Sequence, residues 1–252
     1  MNKVGYCVIG DLEKAENIYI APLDTAKIVR LPKYRLYPIN EKKRTKIDAY
    51  AESLDTFLAF LVIAVVYLIG SRFTDSNVII ALVALLAVIL FNFLQGNRFT
   101  FSPSSAMAFV STIAANEPND RKTAYVFLDR CADSYFGLKM FLVKYKDRCS
   151  GAKRLIYFDN LANGKELLWV SRKKRNMKIA EAEIREVHLK EEYPACFETC
   201  QNLAMIITAD EENGEYVVNK IRTAADKEID VSRLKTLLNA FTAIERKQDE
   251  NK

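Results

Sequence analysis

Two apolar stretches without a charged residue, 56–71 and 77–96, constrain most strongly what this chain can fold into. They are 16 and 20 residues long, and only the polar link 72–76 separates them. A helix rises about 1.5 Å per residue, so roughly 20 residues cross a hydrocarbon core of about 30 Å. Leu, Ile, Val and Ala surround each predicted helix and leave no polar stripe for solvent. The pattern predicts a transmembrane helical hairpin, and a pair of buried helices in a soluble protein is the alternative.

Positive charge lies on both outer sides of the predicted hairpin. Four basic residues precede the first stretch, three follow the second and one lies in the link: Lys42, Lys43, Arg44 and Lys46; Arg98, Arg121 and Lys122; and Arg72. Because the cytoplasmic flanks of membrane helices collect Lys and Arg, we expect a multi-pass protein of the cytoplasmic membrane with both termini in the cytoplasm. The candidates for contact with lipid headgroups are Lys42, Lys43, Arg44, Lys46 and Arg72. The alternative for the first four is that they only set the topology.

The cysteines and the charge balance narrow the function classes. The five cysteines are an odd number and show no regular framework, which indicates reduced thiols rather than a secreted disulfide scaffold. A net charge of +5 over 252 residues argues against a dedicated nucleic-acid-binding protein, which is usually basic over a whole domain. The expected partners are the lipid bilayer and either a protein partner or a second copy of the chain, with an anionic lipid as a further candidate.

The predicted organisation of the chain has four parts. They are a short cytoplasmic N-terminal segment with strands and a basic lead-in at 1–53, the hairpin at 54–97, a connecting helix at 98–122 and a cytoplasmic α+β domain at 123–252. The N-terminal segment has too few apolar residues for a core of its own, so we expect it to pack on the later domain or to add strands to it. The predicted fold class of the whole chain is therefore α+β with a transmembrane hairpin.

Seven runs rich in aromatic and β-branched residues follow the connecting helix and predict strands: 123–128, 135–145, 154–158, 166–171, 177–189, 203–208 and 215–221. Asp230 then caps an amphipathic helix whose apolar residues recur at helical spacing. In an alternative interpretation the stretch between 123 and 146 is helical, which leaves five strands in a plain α+β domain.

Seven strands and one C-terminal helix are the element order of a pleckstrin-homology-like barrel, and residues 123–247 resemble the bacterial membrane-anchored versions of that domain. The resemblance is carried by ELLWVSRKKRNMKIAEAEIREVHL, a hairpin that leads into a strand, and by the final strand pair with its helix. It covers about half of the chain. It implies a β-barrel that is capped by the helix and binds lipid, peptide or protein, with no chemistry expected.

The basic turn between two of these predicted strands is the main candidate site. It holds Arg172, Lys173, Lys174 and Arg175. Arg can bind phosphate oxygens bidentately, so such a loop on a membrane-tethered domain is a candidate for binding anionic lipid. The alternative is a solvated hairpin tip, or a turn that forms ion pairs with Glu181, Glu183 and Glu186.

Residues suited to catalysis or metal binding are scarce in the sequence. The one histidine, His188, lies in an alternating strand-like run, where we expect a structural or exposed role. Cys196 and Cys200 lack a second pair of ligands, so they predict no zinc site, and the chain has no glycine-rich phosphate loop. We therefore expect no enzyme, no metal and no cofactor. Within the hairpin, Tyr67 and Asn92 are the candidates for joining helices when copies associate.

Three functions remain compatible with the sequence. The first is a membrane-tethered, non-catalytic binding module for a protein or an anionic lipid. The second is a ligand-gated effector whose helices oligomerise and disrupt the bilayer. The third is a subunit of a larger membrane complex. Overproduction separates the first two, because only an effector should permeabilise cells when its ligand is added.

Overall fold

The computed structural model describes residues 4–24, 28–29, 31, 34–96, 102–116, 122–132, 134–173, 184–189, 193–219, 221–223, 226 and 229–249. For residues 92–96, 102–103 and 242–249 it describes the backbone only. Its elements are β1 (Tyr6–Ile9), β2 (Asn17–Pro22), β3 (Arg35–Leu36), α1 (Glu41–Gly70), α2 (Asn77–Gly96), α3 (Ser102–Asn116), β4 (Thr123–Leu128), α4 (Phe136–Lys144), α5 (Lys146–Gly151), β5 (Arg154–Phe158), β6 (Glu166–Ser171), β7 (Ile184–His188), α6 (Cys196–Thr199), β8 (Leu203–Glu212), β9 (Glu215–Asn219) and α7 (Val231–Asp249).

Four parallel strands form the centre of one mixed sheet. The strand order is β1-β4-β2-β5-β8-β6-β7, and β4, β2, β5 and β8 are parallel to one another. β1 and β6 are antiparallel to β4 and β8, and β7 is parallel to β6. The end of β8 turns back into β9, which also pairs with β3. β2, β4 and β5 are buried almost from end to end, as expected for parallel strands that are covered on both faces.

Alternate side chains of these strands enter two apolar cores, one on each face of the sheet. Helices α4 and α6 pack on the first core. Helices α3 and α7 pack on the second, where the rings of Phe109, Phe158 and Phe241 have centroids 5.1 to 5.6 Å apart. The domain therefore has a helix–sheet–helix arrangement, and α3 is part of its core as well as a connection from α2.

Strand β2 lies in the middle of this sheet although α1, α2 and α3 separate it from β4 in the chain. Ile20 pairs with Val126 of β4 on one side and with Tyr157 of β5 on the other. Of the two alternatives for the N-terminal segment, the structure has the one in which it adds strands to the later domain. Residues on both sides of the α1–α2 segment thus belong to one sheet.

The predicted strand at 135–145 is the main difference between the sequence prediction and the structure. This segment forms α4, because Leu138, Phe141 and Leu142 fall at helical spacing on its buried face. β4, just before it, is a strand, and the described part of the predicted strand 177–189 is β7. The fold is mixed α and β with a large sheet. Its parallel pairs and its helices on both faces lend no support to a pleckstrin-homology-like barrel, which stays a prediction.

Helix α1 runs for 30 residues and has two halves of opposite character. At its start the Asn40 side chain accepts a hydrogen bond from the Lys43 N–H, and Arg44 and Ala51 are buried. Its most apolar part has no buried side chain. Among the described residues, α1 is the one helix long and apolar enough to cross a membrane, and α2 supplies a shorter apolar helix, Asn77–Phe91.

Helix α2 packs against the end of α1 across a tight turn. The Ser71 N–H donates to the Tyr67 carbonyl oxygen at 2.9 Å, which ends α1. Gly70 lies against Ile80 of α2, since a Cβ added to Gly70 would be 3.1 Å from the Ile80 Cγ1. Ile80 and Ala84 are buried one turn apart on α2.

Candidate functional site at the carboxyl ends of the parallel strands

The candidate site is a cleft at the carboxyl ends of three neighbouring parallel strands, β4, β2 and β5. An aspartate follows each strand: Asp129 directly after β4, Asp24 two residues after β2, and Asp159 directly after β5. In open sheets, ligands bind outside the carboxyl ends of parallel strands, because the loops that begin there share one crevice. The three acidic side chains therefore lie at the edge of the sheet where a site is expected.

The backbone around the cleft is strained. Five described residues other than glycine have a positive φ, and four of them lie in loops that border the cleft: Arg130 (59°), Ser134 (48°), Tyr135 (58°) and Arg222 (55°). The fifth, Asn213, lies in the β8–β9 hairpin. Such a conformation costs of order 1–3 kcal/mol per residue, and it concentrates at functional sites. The strained residues therefore indicate a functional site at the cleft.

Arg44 enters the cleft from the first turn of α1. The residue is 4% exposed, and its guanidinium lies 4.0 Å from the centre of the Tyr135 ring. Nη2 donates a hydrogen bond of 2.9 Å to the Ala132 carbonyl oxygen, whereas Nε and Nη1 have no hydrogen-bond partner in the described part of the chain. Burial alone lowers the pKa of Arg44, but the facing Tyr135 and Asp159 raise it more, so Arg44 stays a cation. The sequence predicts Arg44 at the lipid headgroups, and the structure instead buries it in the domain, because it stacks on Tyr135 and faces Asp159.

Asp24 fixes the loop that follows β4. Its two carboxylate oxygens accept hydrogen bonds from the backbone N–H groups of Cys131 at 3.0 Å and of Ala132 at 2.9 Å. Burial raises the pKa of Asp24, and these two hydrogen bonds oppose the shift. Burial also raises the pKa of the Cys131 thiol well above its usual range. The thiol is therefore protonated at neutral pH, which makes it a poor nucleophile.

Asp159 and Tyr135 form a hydrogen-bonded pair next to Arg44. The Tyr135 hydroxyl donates a hydrogen bond of 3.0 Å to Asp159 Oδ2. Burial raises the pKa of Asp159, while Arg44 and the bond from Tyr135 lower it. Burial raises the pKa of Tyr135 well above its usual range, so its hydroxyl stays a neutral donor. The three side chains connect α1, β5 and the loop before α4.

A second network holds α1 on the domain one turn after Arg44. The Tyr34 hydroxyl donates a hydrogen bond of 2.7 Å to Asp48 Oδ1, and the Arg222 Nη1 lies 3.3 Å from the same oxygen. Burial raises the pKa of Tyr34 to about 12. Because Asp48 and Arg222 are both largely shielded from solvent, salt screens this ion pair less than a surface pair.

A cavity of about 20 Å³ lies among these groups and is bordered by Asp24, Arg44, Asp159 and Arg222. It has room for a water molecule or one small polar group. Tyr157 also lines it, and its buried hydroxyl lies beside the Cys131 thiol and has no other hydrogen-bond partner among the described residues. Among the described residues, no group of three or more His, Cys, Asp or Glu side chains could hold a metal ion. What the cleft offers to a ligand is the unused donors of a buried cation.

The predicted basic turn lies away from this cleft. Arg172 and Lys173 are exposed at the end of β6. Because β6 is antiparallel to β8, this end lies near the amino ends of the parallel strands, at the opposite edge of the sheet from the cleft. Four further residues of that prediction lie outside the described residues: Lys174, Arg175, Glu181 and Glu183.

The other headgroup candidates lie on the surface. They are Lys42, Lys43, Lys46 and Arg72. Lys43 forms an ion pair with Glu215 of β9. Lys46 precedes the apolar part of α1 by ten residues, which is about 15 Å along the helix. Tyr67 is exposed on α1, and the side chain of Asn92 on α2 lies outside the described ones.

The histidine and the cysteine pair that the sequence analysis considered lie outside the cleft. His188 ends β7. Cys196 begins the short helix α6 and Cys200 follows it, and both are buried free thiols. Burial raises the pKa of both thiols, which makes them poor metal ligands in this state.

Four residues of the site were not predicted from the sequence: the three aspartates Asp24, Asp129 and Asp159, and Tyr135. A pattern that could have found two of the three aspartates is present, because the buried runs YVFLD and LIYFD both end in Asp. These runs indicate a common site only if their strands are parallel, since antiparallel strands would place the two aspartates at opposite edges. Strand direction is a property of the pairing, and the local sequence does not contain it.

Comparison with known proteins assigns no family to this chain, since no protein-family model matches it and no curated protein is similar to it. Its function must therefore be argued from the chemistry of its own residues.

Proposed function

We propose that this chain is a membrane-anchored binding protein, in which α1 and α2 cross the cytoplasmic membrane and carry the mixed α and β domain on the cytoplasmic side. The observation that carries this proposal is the two-part character of α1. One continuous helix has its first turns in the core of the domain and its second half outside any core. The domain binds a ligand or a partner protein and performs no reaction.

The exposed apolar surface of both helices supports the membrane part of the proposal. Phe57, Phe60 and Leu68 on α1, and Val78 and Leu86 on α2, are all more than 60% exposed. Burying one such side chain stabilises a protein by about 1.5–3 kcal/mol. Soluble monomers therefore seldom leave a continuous apolar patch in water. A bilayer covers such a surface on every side.

The strand order of the sheet supports the proposal that α2 returns the chain across the membrane to the side from which α1 left. β2 precedes α1 and lies between β4 and β5, which follow α2 and α3. Strands of one sheet lie on one side of a membrane, so a chain that leaves this side in α1 must return to it before β4. Residues 77–96 carry no charge and are long enough for that return. The exposed Lys42 and Lys46 favour the cytoplasm as the shared side.

A ligand-gated effector is the second candidate, and the position of Arg44 favours it. Arg44 and the apolar segment belong to one uninterrupted helix, so a ligand that displaced Arg44 would also displace the membrane segment. In this case the helices of several copies would associate, with Tyr67 and Asn92 as candidate contacts. Permeabilised cells after ligand addition would favour the effector. A protein that stays bound after detergent extraction would favour a subunit of a larger complex.

Cysteine labelling tests the topology. Cys7 is exposed in β1, and the other four cysteines are buried. The native chain thus has one reactive thiol on the side proposed to be cytoplasmic. An Asp75→Cys variant in a Cys7→Ser background moves the reactive thiol to the exposed link between α1 and α2. A membrane-impermeant maleimide should label Cys7 only in permeabilised cells, and Asp75→Cys in intact cells.

Each labelling result can also contradict the proposal. Labelling of Cys7 in intact cells would overturn the cytoplasmic placement, and an Asp75→Cys variant that reacts only after permeabilisation would overturn the hairpin. Alkaline carbonate washing tests anchoring itself, and the wild type should stay in the membrane pellet. Val65→Arg in the apolar part of α1 should weaken retention. Val143→Arg, at an exposed valine of α4, is the matched control and should not.

A further inference from the structure

We propose that the cleft binds the oxyanion group of a small ligand, a carboxylate or a phosphate, through the guanidinium of Arg44. The inference rests on the binding role proposed above and does not depend on membrane anchoring. Its basis is a buried cation at the wall of a cavity, with donor groups that no described residue uses.

The unused donors of Arg44 define what the ligand must supply. A guanidinium has five N–H groups, and the carbonyl oxygen of Ala132 accepts one of them. Nε and Nη1 have no described acceptor. A buried donor without an acceptor costs about 1–3 kcal/mol, and a charged one costs more. Nη2 has one hydrogen on the edge that it shares with Nε and one on the edge that it shares with Nη1, and Ala132 accepts only one of them. One edge of the guanidinium therefore keeps two parallel donors, which match two oxygens of an oxyanion better than a single carbonyl.

Two carboxyl groups border the cavity beside Arg44, and described donors already bind both of them. Asp159 faces Arg44, but its Oδ2 accepts a hydrogen bond from Tyr135, and Asp24 is bound by two backbone N–H groups. Burial raises the pKa of both carboxyl groups, and these hydrogen bonds oppose the shift. Because its surroundings already hold Arg44 as a cation, what an oxyanion would add is acceptor oxygens for donors that no described residue uses.

The size of the cavity limits how much of the ligand enters. About 20 Å³ admits one terminal group, so the rest of the ligand must lie outside the cavity. Tyr157 can add a hydrogen bond from the cavity wall, because apart from the weakly accepting Cys131 thiol its hydroxyl has no described partner. The oxyanion can belong to a free solute or to a phospholipid headgroup. Arg44 precedes the apolar part of α1 by twelve residues, about 18 Å along the helix, so a lipid would have to leave the headgroup layer to reach it.

Thermal unfolding of the purified full chain in a neutral detergent tests the proposal. Inorganic phosphate and acetate are titrated at constant ionic strength, since a ligand that binds only the native state raises Tm as its concentration increases. Wild type should respond to at least one of the two anions. Arg44→Met should lower the apparent affinity about tenfold or more, because it removes the charged donors. Arg148→Met, at an exposed arginine paired with Glu13, is the matched control and should respond as wild type does.

Two further experiments cover the case of an unfolded variant and identify the source of the oxyanion. If Arg44→Met does not fold, Tyr157→Phe replaces it and should weaken binding by about two- to fivefold through the loss of one hydrogen bond. Reconstitution into neutral vesicles with and without anionic phospholipid separates the two sources of the oxyanion. A Tm response to anionic lipid with none to phosphate or acetate would assign the site to a headgroup. A response to free anions would assign it to a solute.

The proposal is overturned if neither the free anions nor anionic phospholipid changes Tm, or if Arg44→Met responds as strongly as wild type. Cysteine labelling and carbonate extraction do not depend on the cleft. Failure of anion binding and failure of membrane anchoring can therefore be told apart.

Discussion

Arg44 on helix α1 donates a hydrogen bond of 2.9 Å to the carbonyl oxygen of Ala132, in the loop that follows strand β4. This bond joins the helix that carries the apolar segment to the edge of the sheet where the parallel strands end. One turn later on α1, Asp48 binds Tyr34 and Arg222. The first turns of α1 are therefore part of the domain, and α1 is not a flexible tether.

Arg44 and Asp159 should be energetically coupled. Arg44→Met removes a cation that lowers the pKa of Asp159, and Asp159→Asn removes the charge while keeping an acceptor for the Tyr135 hydroxyl. A double-mutant cycle on the free energy of unfolding should give a coupling of about 1–3 kcal/mol. The exposed pair Arg148 and Glu13 is the control, with an expected coupling below about 1 kcal/mol. Equal coupling in the two pairs would contradict a buried network at the cleft.

Tyr34→Phe should destabilise the protein by an amount that decreases at high pH. The lost hydrogen bond to Asp48 costs about 1–2 kcal/mol near neutral pH. Burial raises the pKa of Tyr34 from 10.0 to about 12, so the native state keeps a proton that the unfolded chain loses. The resulting stabilisation is complete below pH 10 and is lost towards pH 12, by about 1.4 kcal/mol per pH unit.

Chemical unfolding of wild type and Tyr34→Phe at pH 8, 10 and 11.5 measures this difference. Tyr50→Phe removes an exposed hydroxyl on the same helix to which Tyr34 is bound, and it should match wild type at each pH. A difference between Tyr34→Phe and wild type that stays constant over this range would contradict the raised pKa of Tyr34.

Gly137→Ala should destabilise the domain by about 2–4 kcal/mol, because of overpacking. A Cβ at this position would lie 1.9 Å from the carbonyl oxygen of Asp129, so the loop after β4 or the start of α4 must move. Gly151→Ala is the matched control, since a Cβ there has no neighbour within 4 Å. In a helix, alanine is favoured over glycine by up to about 1 kcal/mol, so the control should be neutral or slightly stabilising. Thermal unfolding of both variants checks the prediction, and similar values of Tm would contradict it.

Thiol reactivity should distinguish one cysteine from the other four. Cys7 is exposed, whereas Cys131, Cys149, Cys196 and Cys200 are buried. Burial raises the pKa of Cys149 and Cys196 to about 12, so few of these thiols are ionised at neutral pH. Intact-protein mass spectrometry after maleimide treatment should find one adduct on the native protein and five after denaturation. A native adduct at Cys131 would show that reagents enter the cleft.

Several elements could be predicted from local sequence, and their arrangement could not. The runs 123–128, 154–158 and 166–171 coincide with β4, β5 and β6, because continuous apolar runs of aromatic and β-branched residues are typical of buried strands. The parallel pairing of β2 with both β4 and β5 joins distant parts of the chain. Such pairing depends on the packing of the whole domain, so it cannot be predicted from the periodicity of one segment.

The position of Arg44 shows a second limit of sequence reasoning. Lys43, Arg44 and Lys46 have the same charge and lie within one turn, yet Arg44 alone of these three is buried. Arg44, Asp48 and Ala51 recur at helical spacing and form the face of α1 that enters the domain. Ile47 and Ala51 are its apolar residues, but Arg44 and Asp48 are charged, so apolar periodicity alone marks only part of this face.

Because β2 lies at the centre of the sheet, the sheet cannot form until the strands on both sides of β2 have been synthesised. A ribosome completes β1 and β2 before α1 and α2, whereas their partners β4 and β5 emerge more than a hundred residues later. During this interval the early strands have exposed edges, which are prone to wrong pairing. If α1 and α2 enter the bilayer as proposed, the sheet can form only after α2 has returned the nascent chain to the side of the membrane that holds β1 and β2. The folded domain is then a sign of completed insertion, and a chain arrested in the membrane would present unpaired strands to chaperones and proteases.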